Sequence, residues 1–173
     1  MKTCGKELFD VVNERDEVIG VEERDIVHAK KLFHRASHIW IVHPETHQIL
    51  IQRRSPEKDT FPNCWTSSVS GHVDSGETYL QAARREVPEE VGLEEPFELK
   101  PIGYERACEE TELEFVILYL CYHAGPFKFA EDEITELRWM DPSDLTEWIE
   151  REPEVFAPSL RFLWDRHRHA LDH

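Results

Sequence analysis

Two hydrophobic periods alternate along this chain, and the changes from one to the other mark out its elements. Residues 8–12 and 18–21 are short apolar runs joined by the polar turn Asn13-Glu14-Arg15-Asp16, which predicts an opening hairpin. Residues 38–43 and 48–53 are apolar runs separated by Pro44-Glu45-Thr46-His47, a second hairpin. Residues 114–122 are apolar without interruption over a strand's length, which predicts a central strand buried on both faces. A brief strand follows at 137–140. Asp141-Pro142 then opens an amphipathic helix to about residue 150, and residues 158–169 suit a closing helix.

Between the second hairpin and the central strand the period becomes helical. Thr78 with Gln81 is a capping-box pair that starts a helix, and Gly92 is placed to end it in a left-handed conformation. Gly71 and Gly76 permit a tight loop before it. Pro88 falls inside this helix, where it removes a backbone donor and crowds the carbonyl of Arg84 at a cost of roughly 3 kcal/mol in an ideal interior. A kink or tightening is expected there. No repeat, low-complexity linker or composition break divides the chain, so residues 1–173 are read as one domain.

The same helix carries the candidate chemistry. Glu86, Glu89 and Glu90 stand at i, i+3 and i+4 and share one helical face. Like charges that close repel, whereas Mg²⁺ or Mn²⁺ takes oxygen ligands from such a cluster. A solvated acidic face is the alternative reading of an isolated E-x-x-E-E.

The surroundings decide between the two. Gly71, Glu77, Arg85, Glu86, Glu89, Glu90 and Gly92, with aliphatic Val87 and Leu93, fit G-x5-E-x7-R-E-U-x-E-E-x-G-U at every position. At roughly one in fifteen per fixed position, seven coincide by chance about once in 10⁸ windows. The chain thus resembles the Nudix family. That resemblance implies a Nudix-type α/β/α sandwich with a mixed β-sheet, a metal held by Glu86, Glu89 and Glu90 with the main-chain carbonyl of Ser70, and a loop stapled to its helix by Arg85 pairing with Glu77.

A narrower resemblance runs over about residues 8–165. H-R-A-S at 34–37, I-L-I-Q-R-R-S-P-E-K at 49–58, F-P-N-C-W-T-S-S-V-S-G-H at 61–72 and E-L-E-F at 112–115 look like isopentenyl diphosphate isomerases and their Nudix-hydrolase neighbours. By that likeness His28, His34, His72, Glu112 and Glu114 match a metal site of three histidines and two glutamates, and Arg54 and Lys58 stand where a diphosphate is gripped. The chemistry fits: arginine offers phosphate a bidentate fork and lysine a point charge. Glu112 and Glu114, two apart on a strand, would face one side. A solvated strand end is the plainer reading of Arg54 and Lys58. Phe61, Trp65 and Tyr104 could wall the substrate, although aromatics at these spacings more often build core.

Departures from the isomerase pattern favour hydrolysis. Its cysteine before the G-H pair is Ser70 here, and a hydroxyl is far less acidic than a thiol. Ser159 stands where a cation-stabilising tryptophan is expected. The R-E-x-x-E-E set, partly lost in the isomerases, is intact. The expected function is metal-dependent cleavage of a diphosphate linkage in a nucleoside diphosphate derivative or similar small molecule, with Mg²⁺ or Mn²⁺ and with Glu86 or Glu114 as general base. The alternatives are an isomerase-like enzyme and a noncatalytic nucleotide sensor.

Composition limits partners. A formal net charge of −16 argues against a nucleic-acid polymer, whose phosphates would be repelled. No apolar run is long enough to span a bilayer, and the start MKTCGKELFD lacks a signal-peptide core. Cys4, Cys64, Cys108 and Cys121 form no C-x-x-C pair, which suits a reduced, cytoplasmic chain. The histidine-rich stretch 167–173 reads as a helix end or tail. A homodimer is an assembly the family resemblance raises and the residues do not specify.

Overall fold

The computed structural model describes residues 6–172. Cys4 and the first residues of the segment read for a signal peptide lie outside the described residues, as does His173 of the histidine-rich end.

The opening hairpin forms. β1 (Leu8–Val12) and β2 (Val18–Glu23) pair antiparallel as a two-stranded sheet. A six-residue helix, α1 (Arg24–Ala29), follows. It is too short to show a helical period in the sequence, and no side chain caps its start.

β3 (His34–Val42) and β4 (Ile49–Arg54) make the second hairpin. β3 begins four residues before the apolar run at 38–43, because parallel pairing with a distant strand, from His34 opposite Glu114 onward, carries its polar start. β5 (Trp65–Thr66) and β6 (Val69–His72) are short, and β6 pairs antiparallel with β3. α2 (Tyr79–Val91) is the predicted helix. Its Thr78–Gln81 capping box is present on both sides, and Gly92 ends it at φ 66°. Pro88 does not break it: the residue sits in the last turn, and the Gly92 N–H still reaches the Pro88 carbonyl at 3.1 Å.

β7 (Lys100–Glu105), β8 (Glu114–Tyr122) and β9 (Ile134–Met140) complete the strands. α3 (Pro142–Arg151) and α4 (Pro158–His167) follow, and the chain tightens into a 3-10 turn at Arg168–Leu171 instead of remaining α-helical to residue 169.

The larger sheet runs β5-β4-β3-β8-β7, with β6 also on β3 and β9 also on β4. β3 and β8 are parallel and the other pairs antiparallel, so the sheet is mixed. Alternation along β3 sorts its side chains into two cores. Ala36, Trp40 and Val42 meet Leu145 of α3 and Leu160, Leu163 and Trp164 of α4. Ile39 and Ile41 meet Ala83, Val87 and Val91 of α2 on the opposite face. Helices thus cover both faces, as an α/β/α sandwich requires. No helix among the described residues is long and apolar enough to cross a membrane.

Candidate active site

α2 presents its carboxylates to β6. Gly71 makes this approach possible: a β-carbon on it would lie 2.3 Å from Cδ of Glu86. Glu90, 7% exposed, is held by Gln52, whose Nε2 donates to Glu90 Oε1 at 2.7 Å and to the Ser68 carbonyl at 3.0 Å. The Ser70 N–H points to the same Glu90 oxygen at 3.4 Å. In an extended strand a residue's N–H and C=O leave by one edge, so the Ser70 carbonyl shares the edge that faces these acids. Glu89 is half exposed and lies 3.4 Å from Arg85.

Arg85 ties the segment together. It forks onto Glu77 with two 2.9 Å bonds, reaches Glu86 at 2.6 Å and donates to the His72 carbonyl at 3.1 Å. Burial raises the pKa of Glu86 despite the Arg85 charge beside it. Burial, joined by the charge of Glu86, raises that of Glu90 well above the ordinary carboxylate range. Two buried acids this close are destabilised as anions, a condition that a bound cation relieves.

A second cluster stands at the far end of β6. His28 from α1, His34 from β3 and His72 from β6 bring ring nitrogens within 4.8 Å of one another. Glu114 Oε1 lies 2.9 Å from His72 Nε2 and 3.5 Å from His34 Nε2. Burial works against the Glu114 charge, but the His72 and His34 imidazoles overcome it and hold the carboxyl far below its usual range. Burial also lowers His28, helped by its two histidine neighbours. His34 Nδ1 lies 2.9 Å from the Leu32 carbonyl, which can only accept, so Nδ1 carries the proton. Its Nε2 is buried without a hydrogen-bond partner. A buried ring nitrogen with no hydrogen-bond partner, 3.5 Å from the Glu114 carboxylate and among two further imidazoles, belongs to a donor set that fits a divalent cation.

Glu112 corrects the strand reading. It lies in the turn before β8 at φ 57°, and so does not alternate with Glu114 on a strand. Burial and then the Glu114 charge raise its pKa against the opposing pull of His72, Arg54 and His34. Arg54, at the end of β4, donates from Nε to the Thr60 carbonyl at 3.0 Å and from Nη2 to the Thr60 hydroxyl at 3.2 Å. Lys58 is paired with Glu133 at 2.5 Å. Trp65 is 4% exposed and belongs to the core rather than to a substrate wall, whereas Phe61 and Tyr104 are exposed. Ser159 is buried in the first turn of α4.

Three residues near this site went unread in the sequence. Gln52 fixes Glu90, and its signal was a polar residue on the β4 face that Leu50 turns towards α2. Phe9 packs against all three histidine rings, parallel to His34 at 5.7 Å and 4.6 Å from His72. His38, 4% exposed, lies with Nδ1 3.1 Å from the Ser67 hydroxyl, and burial pushes its imidazole down to about 4.

The fold is a mixed-sheet α/β/α sandwich with a carboxylate-bearing helix set against a loop and strand. The NUDIX domain family profile matches residues 32–160. An uncharacterised Nudix hydrolase of Yersinia pestis is 38% identical over 142 residues, covering 81% of this chain and 76% of that protein. A protein of Enterobacter sp. (strain 638) named isopentenyl-diphosphate Delta-isomerase is 32% identical over 155 residues, covering 86% and 84%. The crystal structure of DR0079 from Deinococcus radiodurans is similar with a TM-score of 0.81 and 31% identity, over 93% of this chain and 99% of that one. The chain belongs to the Nudix family and is a Nudix hydrolase by that membership.

Proposed function

We propose that the protein is a divalent-cation-dependent hydrolase that cleaves a diphosphate linkage in a small molecule, such as a nucleoside diphosphate derivative. The observation that carries this reading is the buried Glu86–Glu90 pair, seated against Gly71 and facing the free edge of Ser70. Glu86, Glu89, Glu90 and the Ser70 carbonyl would hold Mg²⁺ or Mn²⁺; imidazole nitrogens at His28, His34 and His72 with Glu114 suit Mn²⁺ better than Mg²⁺. A bound cation supplies charge neutralisation for the phosphoryl oxygens and lowers the pKa of water.

The chain's own groups do the rest. Gln52 fixes the rotamer of Glu90. Arg54 and Lys58 offer cations to the diphosphate, after Lys58 leaves Glu133. Glu86, against Gly71, and Glu114, between His72 and His34, are the two candidate general bases. Hydrolysis of nucleotide, sugar and isoprenoid diphosphates with either cation, read as inorganic phosphate from a terminal diphosphate or as two phosphomonoesters from an internal one, tests the reading; no product from any of them would remove it.

A second reading is kept alive by the histidine cluster and by the isomerase relative. Hydroxyls at Ser70 and Ser159 supply neither the acid nor the aromatic face that alkene isomerisation needs.

A further inference from the structure

His38 lies outside the α2 carboxylates and outside the histidine cluster, on the face of the sheet that carries His34 and His72. It stands four residues after His34 on β3, on the same face, and is paired in register with Ser70 of β6, so the two side chains are cross-strand neighbours. Glu114, His72 and Arg54 are the charged or titratable groups that act on it.

Hydrogen-bond accounting fixes its tautomer. The Trp40 indole N–H can only donate, and it reaches the Ser67 hydroxyl oxygen at 3.2 Å. Ser67 is fully buried, and its hydroxyl meets only Trp40 and the His38 Nδ1 among the described residues. A buried hydroxyl proton needs an acceptor, and His38 Nδ1 is the one available. The chain therefore runs from Trp40 to Ser67 to His38. Nδ1 is bare, and the proton of the neutral ring sits on Nε2. The fold thus leaves an Nε2–H donor with no partner among the described residues on the face that carries His34 and His72, within reach of the Arg54 charge.

We infer that His38 is a substrate-binding residue whose Nε2–H donates to a phosphoryl oxygen of the diphosphate. This rests on the diphosphate reading above and adds to it a neutral donor that the basic pair does not supply. A neutral donor suits a site crowded with cations and acids, because it contributes direction without a further charge to desolvate. The Trp40–Ser67 pair positions the ring, and it acts on substrate only through His38.

The test is histidine ¹⁵N correlation spectroscopy on the wild-type protein with Mg²⁺, before and after addition of inorganic pyrophosphate, with calorimetry to read binding. The expected result is a neutral His38 protonated on Nε2, whose Nε2–H signal shifts when pyrophosphate binds. His38→Leu should weaken pyrophosphate by about tenfold, and His38→Gln, which keeps an N–H donor, should recover most of the loss. Pyrophosphate binding with the His38 signals unmoved, or an Nδ1–H tautomer, would overturn the inference while leaving the diphosphate reading standing. Absence of pyrophosphate binding to the wild type would overturn both. The spectroscopic readings need no variant, so a folding defect in either substitution leaves the test intact.

Discussion

Gly71 and Glu86 are in direct contact between β6 and α2, with no room for a β-carbon: one placed on Gly71 would meet Glu86 Cδ at 2.3 Å and Oε1 at 2.4 Å. The glycine is required here by the neighbour it meets. Gly71→Ala must displace either the carboxylate or the strand, and a misplacement of about 1 Å at a reacting group costs on the order of 10²-fold in rate. Steady-state turnover at saturating Mg²⁺ should fall by about that factor while circular dichroism keeps its folded signature. Unchanged turnover would mean that the Glu86 carboxylate has no part in the reaction.

Glu90 gives a pH prediction whose sign can be worked out. Its folded pKa is raised above the unfolded value, so the metal-free native state binds the extra proton in the window between the two. Stability therefore falls as pH rises from the ordinary carboxylate range through the raised value of Glu90. Thermal melts of the metal-free protein should show this slope, and Glu90→Gln should reduce it and melt higher at pH 8, leaving the share that the raised Glu86 contributes. Glu114 acts in the opposite sense in a lower window. Its depressed pKa contributes stability present above the ordinary carboxylate range and lost as pH falls through the depressed value. A metal-free Glu90→Gln protein that melts lower than wild type at pH 8 would contradict the assignment of buried charge strain to this residue.

Arg54 and Lys58 should not contribute equally. Arg54 spends hydrogen bonds on Thr60 but meets no carboxylate within ion-pair distance among the described residues, whereas Lys58 must break its 2.5 Å pair with Glu133 to reach a phosphate. Arg54→Ala should raise KM by about tenfold or more, from roughly 1.5–3 kcal/mol for a charge-assisted hydrogen bond, and Lys58→Ala by less. Calorimetric titration with Mn²⁺ should give nearly the same affinity in both variants, since neither side chain ligates a cation. Unaltered KM in the double variant would return the pair to a solvated strand end.

The Ser70 hydroxyl predicts a negative. Incubation of the protein with isopentenyl diphosphate in deuterated water should leave the substrate unlabelled, and Ser70→Cys alone should not start exchange, because Ser159 still stands in the first turn of α4 where an aromatic face would be needed. Deuterium entering the substrate with the unmodified protein would restore the isomerase reading.

Much of this site was legible because its spacing is local. The capping box at Thr78, the stop at Gly92 and the three glutamates all lie within one helix and its flanks, where a period of 3.6 fixes relative positions. What the sequence concealed is long-range. Gln52 reaches Glu90 across 38 residues and Ser67 reaches His38 across 29, and no local pattern encodes either contact. The start of β3 was hidden for the same reason, since parallel pairing with β8 stabilises a polar His34-Arg35 segment that alone has no strand signature. Glu112 was misplaced because two-residue alternation was extended across a turn, where a left-handed backbone at φ 57° breaks it.

The most direct measurement compares wild type with Glu90→Gln for hydrolysis of the best diphosphate substrate, read as inorganic phosphate or phosphomonoester product, at saturating Mg²⁺ or Mn²⁺, with a chelator as control. Glu90 is buried on α2 and bonded to Gln52, and the substitution keeps its shape while removing its charge. The wild type should form product only with the cation present, and the variant should lose nearly all of that turnover while remaining folded. Product formation that survives chelation, or wild-type turnover by Glu90→Gln, would contradict a cation held by the carboxylates of α2.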